Sequence, residues 1–171
     1  MSADSILVTG GAGFIGSHLT EHLAGLGRRV VVLDNFRNGR RENLRWPGAE
    51  GVEVIEGDIV DPAACRRAMA GVTTVFHLAC LGVRHSLHSP IENHQVNALG
   101  TLHVLEAARA AGVRRFVCVS TSEIYGRARE FPITENATPW PLTVYGSSKL
   151  AGEHYARSYF ECYQQIGRGQ V

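Results

Sequence analysis

The chain has 171 residues, of which 44% are hydrophobic and 19% charged, and its net charge at pH 7 is +1. These values are typical of one globular domain with its own core, and the balanced charge gives no field that would favour nucleic acid or an acidic membrane surface. The four cysteines form no Cys-x-x-Cys pair, which argues against a zinc site and a disulfide framework and favours a reducing cytoplasm.

Short apolar runs alternate with helical patterns along the first half of the chain. The run in Ile6–Val8 is uninterrupted by polar residues, which is typical of a strand buried on both faces. Asp61 and Pro62 predict a helix start, because aspartate is a good cap and proline suits the first helical position. The predicted elements are the strand Ser5–Thr9, a helix from Gly13 to about Gly25, the strands Val30–Leu33 and Val52–Glu56, and the helix Pro62–Ala70.

The second half continues the alternation. The predicted elements are the strand Thr74–Leu78, a long helix from about Pro90 to Ala111, the strand Phe116–Ser120, an irregular loop at Arg127–Thr143 and the helix Tyr145–Tyr163. Strands separated by helices imply parallel pairing with right-handed connections, so we predict an α/β fold with an open sheet and helices on both faces. A loop as long as 127–143 is usually functional in a compact domain.

Three glycines, Gly10, Gly13 and Gly16, lie between the first strand and the first helix. This turn suits a backbone that adopts positive φ, approaches a pyrophosphate closely and keeps the helix tight against the sheet. The N–H groups at the helix start can then hold phosphates. Asp34 ends the second strand, where a carboxylate can accept hydrogen bonds from ribose hydroxyls and repel a 2′-phosphate. The pattern predicts NAD as the cofactor.

Other cofactor-binding candidates flank the same expected edge of the sheet. Asp58 follows the third strand and is a candidate acceptor for the adenine amine, although an ordinary loop aspartate is nearly as good an interpretation. The remaining candidates are Phe14, Ile15, Asn35, Asn38, Ile59, Leu78 and Ala79.

Tyr145 and Lys149 are one helical turn apart, which places both on one face of the final helix. An ammonium near a phenol favours the phenolate, so we expect a lowered pKa for Tyr145. Thr121 follows the fifth strand, and its hydroxyl can share a substrate hydroxyl with Tyr145. Lys149 is also a candidate to hold the nicotinamide ribose. The three residues indicate proton removal from a hydroxyl as a hydride leaves.

Several motifs stand in one order along the chain: Thr9–Gly16, Asp34-Asn35, Gly57–Ile59, His77–Ala79, Asn97–Thr101, Ser120–Gly126 and Tyr145–Lys149. In these motifs the chain resembles the extended short-chain dehydrogenase/reductase superfamily and, within it, the NAD-dependent nucleotide-sugar epimerase/dehydratase group, from about residue 5 to about residue 163. The resemblance implies a Rossmann-type doubly wound parallel sheet with strand order 3-2-1-4-5. It further implies that Thr121, Tyr145 and Lys149 are the catalytic trio and that Asn97 organises the site, whereas His77 is a packing residue.

The chemistry implied by the resemblance is transient oxidation of a sugar C4 hydroxyl to a ketone by bound NAD. Ser122 stands where dehydratases of deoxythymidine-diphosphate glucose usually have an aspartate. The triplet Thr121-Ser122-Glu123 instead resembles those of GDP-mannose 4,6-dehydratases and UDP-glucuronate decarboxylases. Glu123 is then a candidate catalytic base, with an exposed loop glutamate as the alternative. The glycine turn departs from that of GDP-mannose dehydratases, which tend toward NADP, and favours an epimerase.

These patterns leave several functions open. A UDP-sugar 4-epimerase is favoured, and a UDP-glucuronate decarboxylase or a sugar-nucleotide 4,6-dehydratase is the alternative. A catalytically silent NAD-binding regulatory module is the alternative of another class, although such a module would not need the catalytic trio.

The segment Val83–Ser86 follows the fourth strand, where family members contact substrate. Arg84 and Ser86 are therefore substrate-binding candidates, with a surface arginine as the alternative for Arg84. Cys80 stands where the family usually has alanine or glycine, near the expected nicotinamide path. The histidines at positions 85, 88 and 94 lack patterned carboxylates, so no metal site is expected.

Family members are considerably longer than this chain. We therefore expect residues 1–171 to form the NAD-binding Rossmann domain, with 164–171 as an atypical tail and the C-terminal substrate subdomain missing. A sheet ending at the fifth strand would have an open edge. We therefore expect the isolated chain to oligomerise or to bind NAD weakly, and to turn over sugar nucleotides poorly or not at all. The expected partners are a nucleotide sugar and, in the full-length form, a second copy in a homodimer, with no nucleic acid and no membrane.

Overall fold

A computed structural model describes residues 5–164 of the chain. By internal contacts the chain divides into two compact units. We call Met1–Ala79 with His103–Val119 the sheet unit, and Cys80–Leu102 with Ser120–Val171 the helical unit. The expectation of a single domain over 1–171 stays a prediction.

The elements follow the alternation predicted from the sequence. In chain order they are β1 (Ser5–Thr9), α1 (Phe14–Gly25), β2 (Arg29–Asp34), β3 (Glu53–Glu56), α2 (Pro62–Ala68), β4 (Thr74–His77), α3 (Val83–Ser86), α4 (Pro90–His94), α5 (Thr101–Ala110), β5 (Arg115–Cys118) and α6 (Val144–Tyr159). Between them lie 3₁₀ segments at Arg41–Leu44, Ala49–Gly51 and Ser122–Tyr125, and π-helical segments at Gln95–Gly100 and Phe160–Gln164.

The sheet unit contains one parallel sheet with the order β3-β2-β1-β4-β5, which confirms the predicted topology. All five residues of β1 are buried. Leu7 aligns with Val31 on one side and with Val75 on the other. The apolar run of β1 is therefore explained by its central position, where both faces of the strand are covered.

The helix starts and stops predicted from the sequence also hold in the sheet unit. The Asp61 side chain accepts hydrogen bonds from the Ala63 and Ala64 N–H groups at 2.8 and 3.2 Å, and Pro62 is the first residue of α2. Gly112 follows α5 with a φ of 70°. The Asp61 cap thus sets the start of α2, and a left-handed glycine follows the end of α5.

The predicted long helix from Pro90 to Ala111 is helical to Ala110, but its hydrogen-bonding register changes at the π-helical segment Gln95–Gly100. The Thr101 hydroxyl donates to the Asn97 carbonyl oxygen at 2.6 Å at the end of this segment. Such side-chain bonds compete with the regular helical ladder, and π turns of this kind occur frequently at functional sites. The sequence did not predict the register change.

The loop at Arg127–Thr143 has no regular secondary structure, as predicted. The expected tail at 164–171 lies outside the described residues, apart from the backbone of Gln164. Within residues 5–164, no helix combines the length and the apolar character needed to cross a membrane.

Candidate functional site

The glycine turn of the sheet unit is closed by backbone contacts. The Gly10 N–H donates to the Leu33 carbonyl at 2.9 Å, and Gly10 has a φ of 71°. A methyl group on Gly16 would overlap the Gly10 carbonyl oxygen and lie 2.8 Å from the Gly11 Cα. No side chain fits at Gly16 without moving the turn, because the neighbours are backbone atoms.

The start of α1 leaves its first N–H groups available. Gly13 is the N-cap residue and supplies no side-chain hydrogen bond, and the next two residues, Phe14 and Ile15, are 80% and 66% exposed. Unsatisfied N–H groups together with the helix dipole favour an anion at this position. The turn is therefore suited to a phosphate group.

Asp34 is buried at the end of β2, and both of its carboxylate oxygens accept hydrogen bonds from the backbone. Oδ2 accepts from the Ala12 N–H at 2.9 Å and Oδ1 from the Phe36 N–H at 2.8 Å. Phe36 has a φ of 57°, a left-handed conformation that is unusual for an aromatic residue. Asp34 thus fixes the glycine turn and the loop after β2, and each oxygen retains acceptor capacity for a ribose hydroxyl.

Two cofactor-binding candidates, Asn35 after β2 and Asp58 after β3, are hydrogen-bonded to each other. The Asn35 side-chain amide donates to Asp58 Oδ2 at 2.7 Å, and Asp58 Oδ1 accepts from the Val60 N–H at 3.0 Å. Ile59 is buried, whereas Asn38 is exposed. Asp58 is therefore held at the predicted edge of the sheet, and its contact with adenine remains a prediction.

The segment that follows β4, with Leu78 and Ala79, lies against the glycine turn, and its contact with the cofactor stays a prediction. A methyl group on Gly10 would lie 2.8 Å from the Ala79 nitrogen. The Thr9 hydroxyl oxygen accepts from the Ala79 N–H at 3.2 Å and lies 2.7 Å from His77 Nδ1. His77 is fully buried, which fits the packing role expected for it.

In the helical unit, Thr143 begins the helix that carries Tyr145 and Lys149. Its hydroxyl oxygen accepts from the Gly146 N–H at 2.9 Å, which makes Thr143 the N-cap of α6. A methyl group on Gly146 would lie 2.7 Å from the Glu123 carbonyl oxygen. The first turn of α6 therefore lies directly on the 3₁₀ segment that contains Glu123.

The pKa of Tyr145 is raised, contrary to the expectation that Lys149 would lower it. Burial of the phenol is the largest cause, and Cys80 and Glu123 raise the pKa further. A hydrogen bond with the Thr121 side chain acts in the opposite direction and favours the phenolate. Desolvation opposes the charged form of the phenol. The helical spacing to Lys149 alone therefore did not predict the direction of the pKa shift. The expectation that Thr121 and Tyr145 share a substrate hydroxyl stays a prediction.

Lys149 is only 5% exposed. Within residues 5–164 its ammonium has no hydrogen-bond acceptor and no carboxylate partner. The hydroxyl of Ser120, next to Thr121, is a buried polar group without a hydrogen-bond partner in the described part of the chain. Buried lysines are normally paired, so the donor set fits a ligand with hydroxyl oxygens, such as the ribose of a nicotinamide cofactor.

The remaining candidates of the helical unit differ in their accessibility. Asn97 is 1% exposed, and its amide is bonded to both the N–H and the carbonyl of Leu81, at 2.8 Å each. The Thr143 hydroxyl also lies 3.4 Å from Glu123 Oε2. Arg84 is exposed, whereas Ser86 is buried and donates to the Val83 carbonyl at 2.7 Å. Asn97 therefore organises the segment after β4, and the hydroxyl of Ser86 is used within α3.

The family model described as GDP-mannose 4,6 dehydratase matches residues 7–167. The chain belongs to this family of epimerases and dehydratases. UDP-glucose 4-epimerase of Rhizobium leguminosarum bv. trifolii is 40% identical over 93% of the chain and 48% of the relative. UDP-glucuronic acid decarboxylase 1 of Arabidopsis thaliana is 38% identical over 90% and 36%, respectively.

The same similarity is found among solved structures of the family. The crystal structure of UDP-glucose 4-epimerase from Thermus thermophilus in complex with NAD has a TM-score of 0.87 and 41% identity to this chain. The matched region covers 94% of this chain and 52% of the Thermus chain. The chain thus spans about half the length of the Rhizobium and Thermus epimerases.

Three residues of the helical unit were not identified as site residues by sequence reasoning, although one lies within a family motif and two lie just before one. Asn93 and Ser148 are buried and hydrogen-bonded to each other, and Thr143 caps α6. A threonine two residues before Tyr145 is a capping signal that could have been used. Asn93 gives no such signal, because its partners are distant in sequence. Within the part of the chain that is described, no three His, Cys, Asp or Glu side chains form a group that could hold a metal ion.

Proposed function

We propose that this chain is the NAD-binding and proton-transferring part of a UDP-sugar 4-epimerase that acts through transient oxidation of the sugar at C4. The observation that carries the proposal is the grouping of Thr121, Tyr145 and Lys149. A hydrogen bond from the Thr121 side chain lowers the pKa of Tyr145, and the Lys149 side chain is buried one helical turn further along α6. A module that only binds a nucleotide would have no use for this grouping.

In the sheet unit, the glycine turn and the start of α1 would hold the diphosphate. The turn supplies free N–H groups, and the glycines Gly10, Gly13 and Gly16 let a phosphate approach the backbone. Asp34 would accept hydrogen bonds from the adenosine ribose and disfavour a 2′-phosphate. The candidates for the adenine and the remaining cofactor contacts are Phe14, Ile15, Asn35, Asn38, Asp58, Ile59, Leu78 and Ala79.

In the helical unit, the phenolate form of Tyr145 would take the proton of the C4 hydroxyl and become the neutral phenol. Bound NAD supplies the hydride acceptor. The Thr121 hydroxyl favours the phenolate by donating to it and orients the same substrate hydroxyl. Lys149 would bind the nicotinamide ribose, because its ammonium can donate hydrogen bonds to the ribose hydroxyls. Asn97 would act indirectly, by holding the Leu81 backbone.

Glu123 supports a second candidate, a UDP-glucuronate decarboxylase or a 4,6-dehydratase. Either reaction needs a further acid or base beyond Tyr145. The carboxylate of Glu123 is half-buried and lies 3.4 Å from the Thr143 hydroxyl. The exposed Arg84 could pair with a substrate carboxylate or diphosphate. Ser122 and Ser86 are less suited, because a serine is a weak acid and the Ser86 hydroxyl is already used.

The proposal includes a nucleotide-sugar substrate, a homodimer of the full-length protein and a cytoplasmic location. Support for a reducing compartment comes from the cysteines: all four (Cys65, Cys80, Cys118 and Cys162) lie in the described residues, and none of them forms a disulfide. Support for the substrate class comes from the family, whose relatives include both a UDP-glucose epimerase and a UDP-glucuronic acid decarboxylase.

Calorimetric titration of the chain with NAD and with NADP tests the cofactor. NAD is expected to bind more tightly than NADP, and Gly16→Ala is expected to abolish binding. Gly25→Ala is the matched control, because a methyl group on Gly25 meets no atom within 4 Å. Equal binding by the wild type and Gly16→Ala would contradict the proposed role of the turn.

The reaction is tested with the full-length gene product and its Tyr145→Phe variant. Incubation with UDP-glucose, UDP-glucuronate, GDP-mannose and deoxythymidine-diphosphate glucose is followed by mass and by stereochemistry at C4. Inversion without a change in mass identifies the epimerase, loss of carbon dioxide the decarboxylase and loss of water the dehydratase. Binding of NAD with no turnover of any of these substrates would favour the regulatory module.

A further inference from the structure

The side chain of Asn93 is completely buried in the helical unit, and its amide makes four hydrogen bonds. Its nitrogen donates to the Leu81 and Gly82 carbonyls at 3.1 and 3.2 Å. Its oxygen accepts from the Asn97 amide at 3.1 Å and from the Ser148 hydroxyl at 3.3 Å. An asparagine amide has two donors and two acceptor positions, so the hydrogen-bonding capacity of Asn93 is fully used.

Asn93 thereby joins three pieces of chain that are separate in sequence. Asn97 lies one turn further along the same helical run and holds both backbone groups of Leu81. Ser148 lies on α6, immediately before Lys149. A buried amide whose bonds are all satisfied specifies the relative position of its partners, because each group left unpaired would be costly to bury.

The hydroxyl proton of Ser148 lies between two acceptors. The Tyr145 carbonyl oxygen is 2.8 Å from Ser148 Oγ, and the Asn93 amide oxygen is 3.3 Å from it. A hydroxyl has a single proton to donate, so the two acceptors share it. The turn of α6 from Tyr145 to Lys149 is therefore tied through Ser148 to Asn93.

We propose that Asn93 is a positioning residue, which sets the placement of the Tyr145–Lys149 turn against the Leu81–Gly82 backbone. This inference rests on the proposed function, because it assigns a purpose to the position of Tyr145 and Lys149. The physical effect itself, local ordering of the turn, does not depend on NAD or on a sugar. Both residues act from one turn of α6, so a loosened turn would displace the two groups together.

Site-resolved amide hydrogen exchange of the chain tests the proposal, with Asn93→Ala and Ser148→Ala compared with Val75→Ala. Val75 is fully buried in β4, so its truncation lowers global stability without touching the asparagines. Exchange rates in each variant are expressed relative to those of amides in β1 and β2. On this scale the amides of Leu81 and of the Tyr145–Lys149 turn should exchange at least ~10-fold faster in Asn93→Ala than in Val75→Ala. In Ser148→Ala only the α6 amides should accelerate, because Asn93 still donates to the Leu81 and Gly82 carbonyls.

The phenol of Tyr145 provides a second readout that a general loss of stability would not move. Its pKa is followed by carbon NMR of the ring in tyrosine-labelled protein, with Tyr145→Phe for assignment. Asn93→Ala should bring this pKa toward the ordinary tyrosine value, because a looser turn is less desolvated, whereas Val75→Ala should leave it unchanged.

Three results would overturn the proposal. The first is the same exchange pattern in Asn93→Ala and Val75→Ala, and the second is a Tyr145 pKa in Asn93→Ala equal to that of the wild type. If Asn93→Ala does not fold, Ser148→Ala decides, and unchanged exchange in its α6 turn is the third. If the wild-type chain binds no NAD while the variants show these local effects, the proposed function is refuted and the positioning role is left intact.

Discussion

The Asp34 carboxylate accepts a hydrogen bond from the Ala12 N–H at 2.9 Å, across 22 residues of sequence. The acid that the sequence predicts as a ligand of the adenosine ribose is thus also a structural part of the glycine turn. Its second oxygen holds the Phe36 N–H on the other side. Loss of Asp34 should consequently affect the free protein as well as its binding of a nucleotide.

Replacement of Asp34 by alanine should lower the free energy of unfolding. Two backbone N–H groups would lose their acceptors, and a buried unsatisfied donor costs roughly 1–3 kcal/mol. Asp34→Asn retains one acceptor oxygen and should be less destabilised. Urea unfolding followed by circular dichroism measures both, with Asn38→Ala as the control because Asn38 is exposed in the same loop. Equal urea midpoints for Asp34→Ala and Asn38→Ala would show that these bonds contribute nothing.

Addition of one methyl group distinguishes two glycines of α1. Gly16→Ala should destabilise the chain, because the methyl group meets the backbone of Gly10 and Gly11. Gly25→Ala should be neutral or stabilising by up to about 1 kcal/mol, since alanine is the better helix former and nothing lies within 4 Å. Thermal unfolding of the two variants compares them directly. A Tm for Gly16→Ala at or above that of Gly25→Ala would contradict the close contact.

The pKa of Tyr145 should rise further in Thr121→Val. The hydrogen bond from Thr121 favours the phenolate, so its loss leaves burial, Cys80 and Glu123 to act unopposed. Thr121→Ser retains a hydroxyl and should stay near the wild type. The raised pKa also means that the folded state prefers the neutral phenol. Its contribution to stability is present below the ordinary value of 10.0 and is lost as pH rises above it.

Carbon NMR of labelled tyrosine rings measures the pKa, with Tyr145→Phe as the assignment control. A lower Tyr145 pKa in Thr121→Val than in the wild type would mean that Thr121 does not stabilise the phenolate.

Cys65 should be the least reactive of the four thiols. It is fully buried, and burial raises its pKa from 9.0 to about 11, with smaller contributions from Asp61 and Asp58. The thiolate is the reactive form, so iodoacetamide should modify the exposed Cys162 first and Cys65 last. Peptide mass spectrometry over time gives the order. Modification of Cys65 before Cys162 in the native protein would contradict it.

The same shift has a consequence for stability at alkaline pH. The folded state favours the neutral thiol of Cys65, so its contribution is fully present below pH 9.0 and declines as pH rises toward 11. Cys65→Ala should lose stability through the cavity it leaves, but its decline between these pH values should be shallower than that of the wild type. A parallel decline in both proteins would assign the alkaline loss to other groups.

The sheet was predictable because its signals are local. The apolar run in β1, the cap at Asp61 and the glycines before α1 each determine their own neighbourhood, and the strand ends differ from the predicted ones by only a residue or two. Parallel pairing then follows from the helices that separate the strands. Family motifs added the strand order, which periodicity alone does not give.

The parts that were missed depend on contacts between distant residues. Asn93 and Ser148 are ordinary polar residues in sequence, and only the fold brings them to within 3.3 Å. The π-helical segment at Gln95–Gly100 preserves the apolar pattern of a helix, so periodicity does not reveal it. The predicted direction of the Tyr145 pKa shift was wrong. The spacing to Lys149 can be read from the sequence, whereas desolvation of the phenol is a property of the folded unit.

The double use of Asp34 bears on laboratory redesign of cofactor preference. Exchanging an acid at the end of the second strand for a neutral or basic residue is the obvious route toward a phosphorylated nucleotide. In this chain that exchange would also release the Ala12 and Phe36 N–H groups from their acceptor. A library that varies position 34 alone would therefore select against poorly folded turns before it could select for the new cofactor. Loop residues after β2 that offer a replacement acceptor should be randomised together with it.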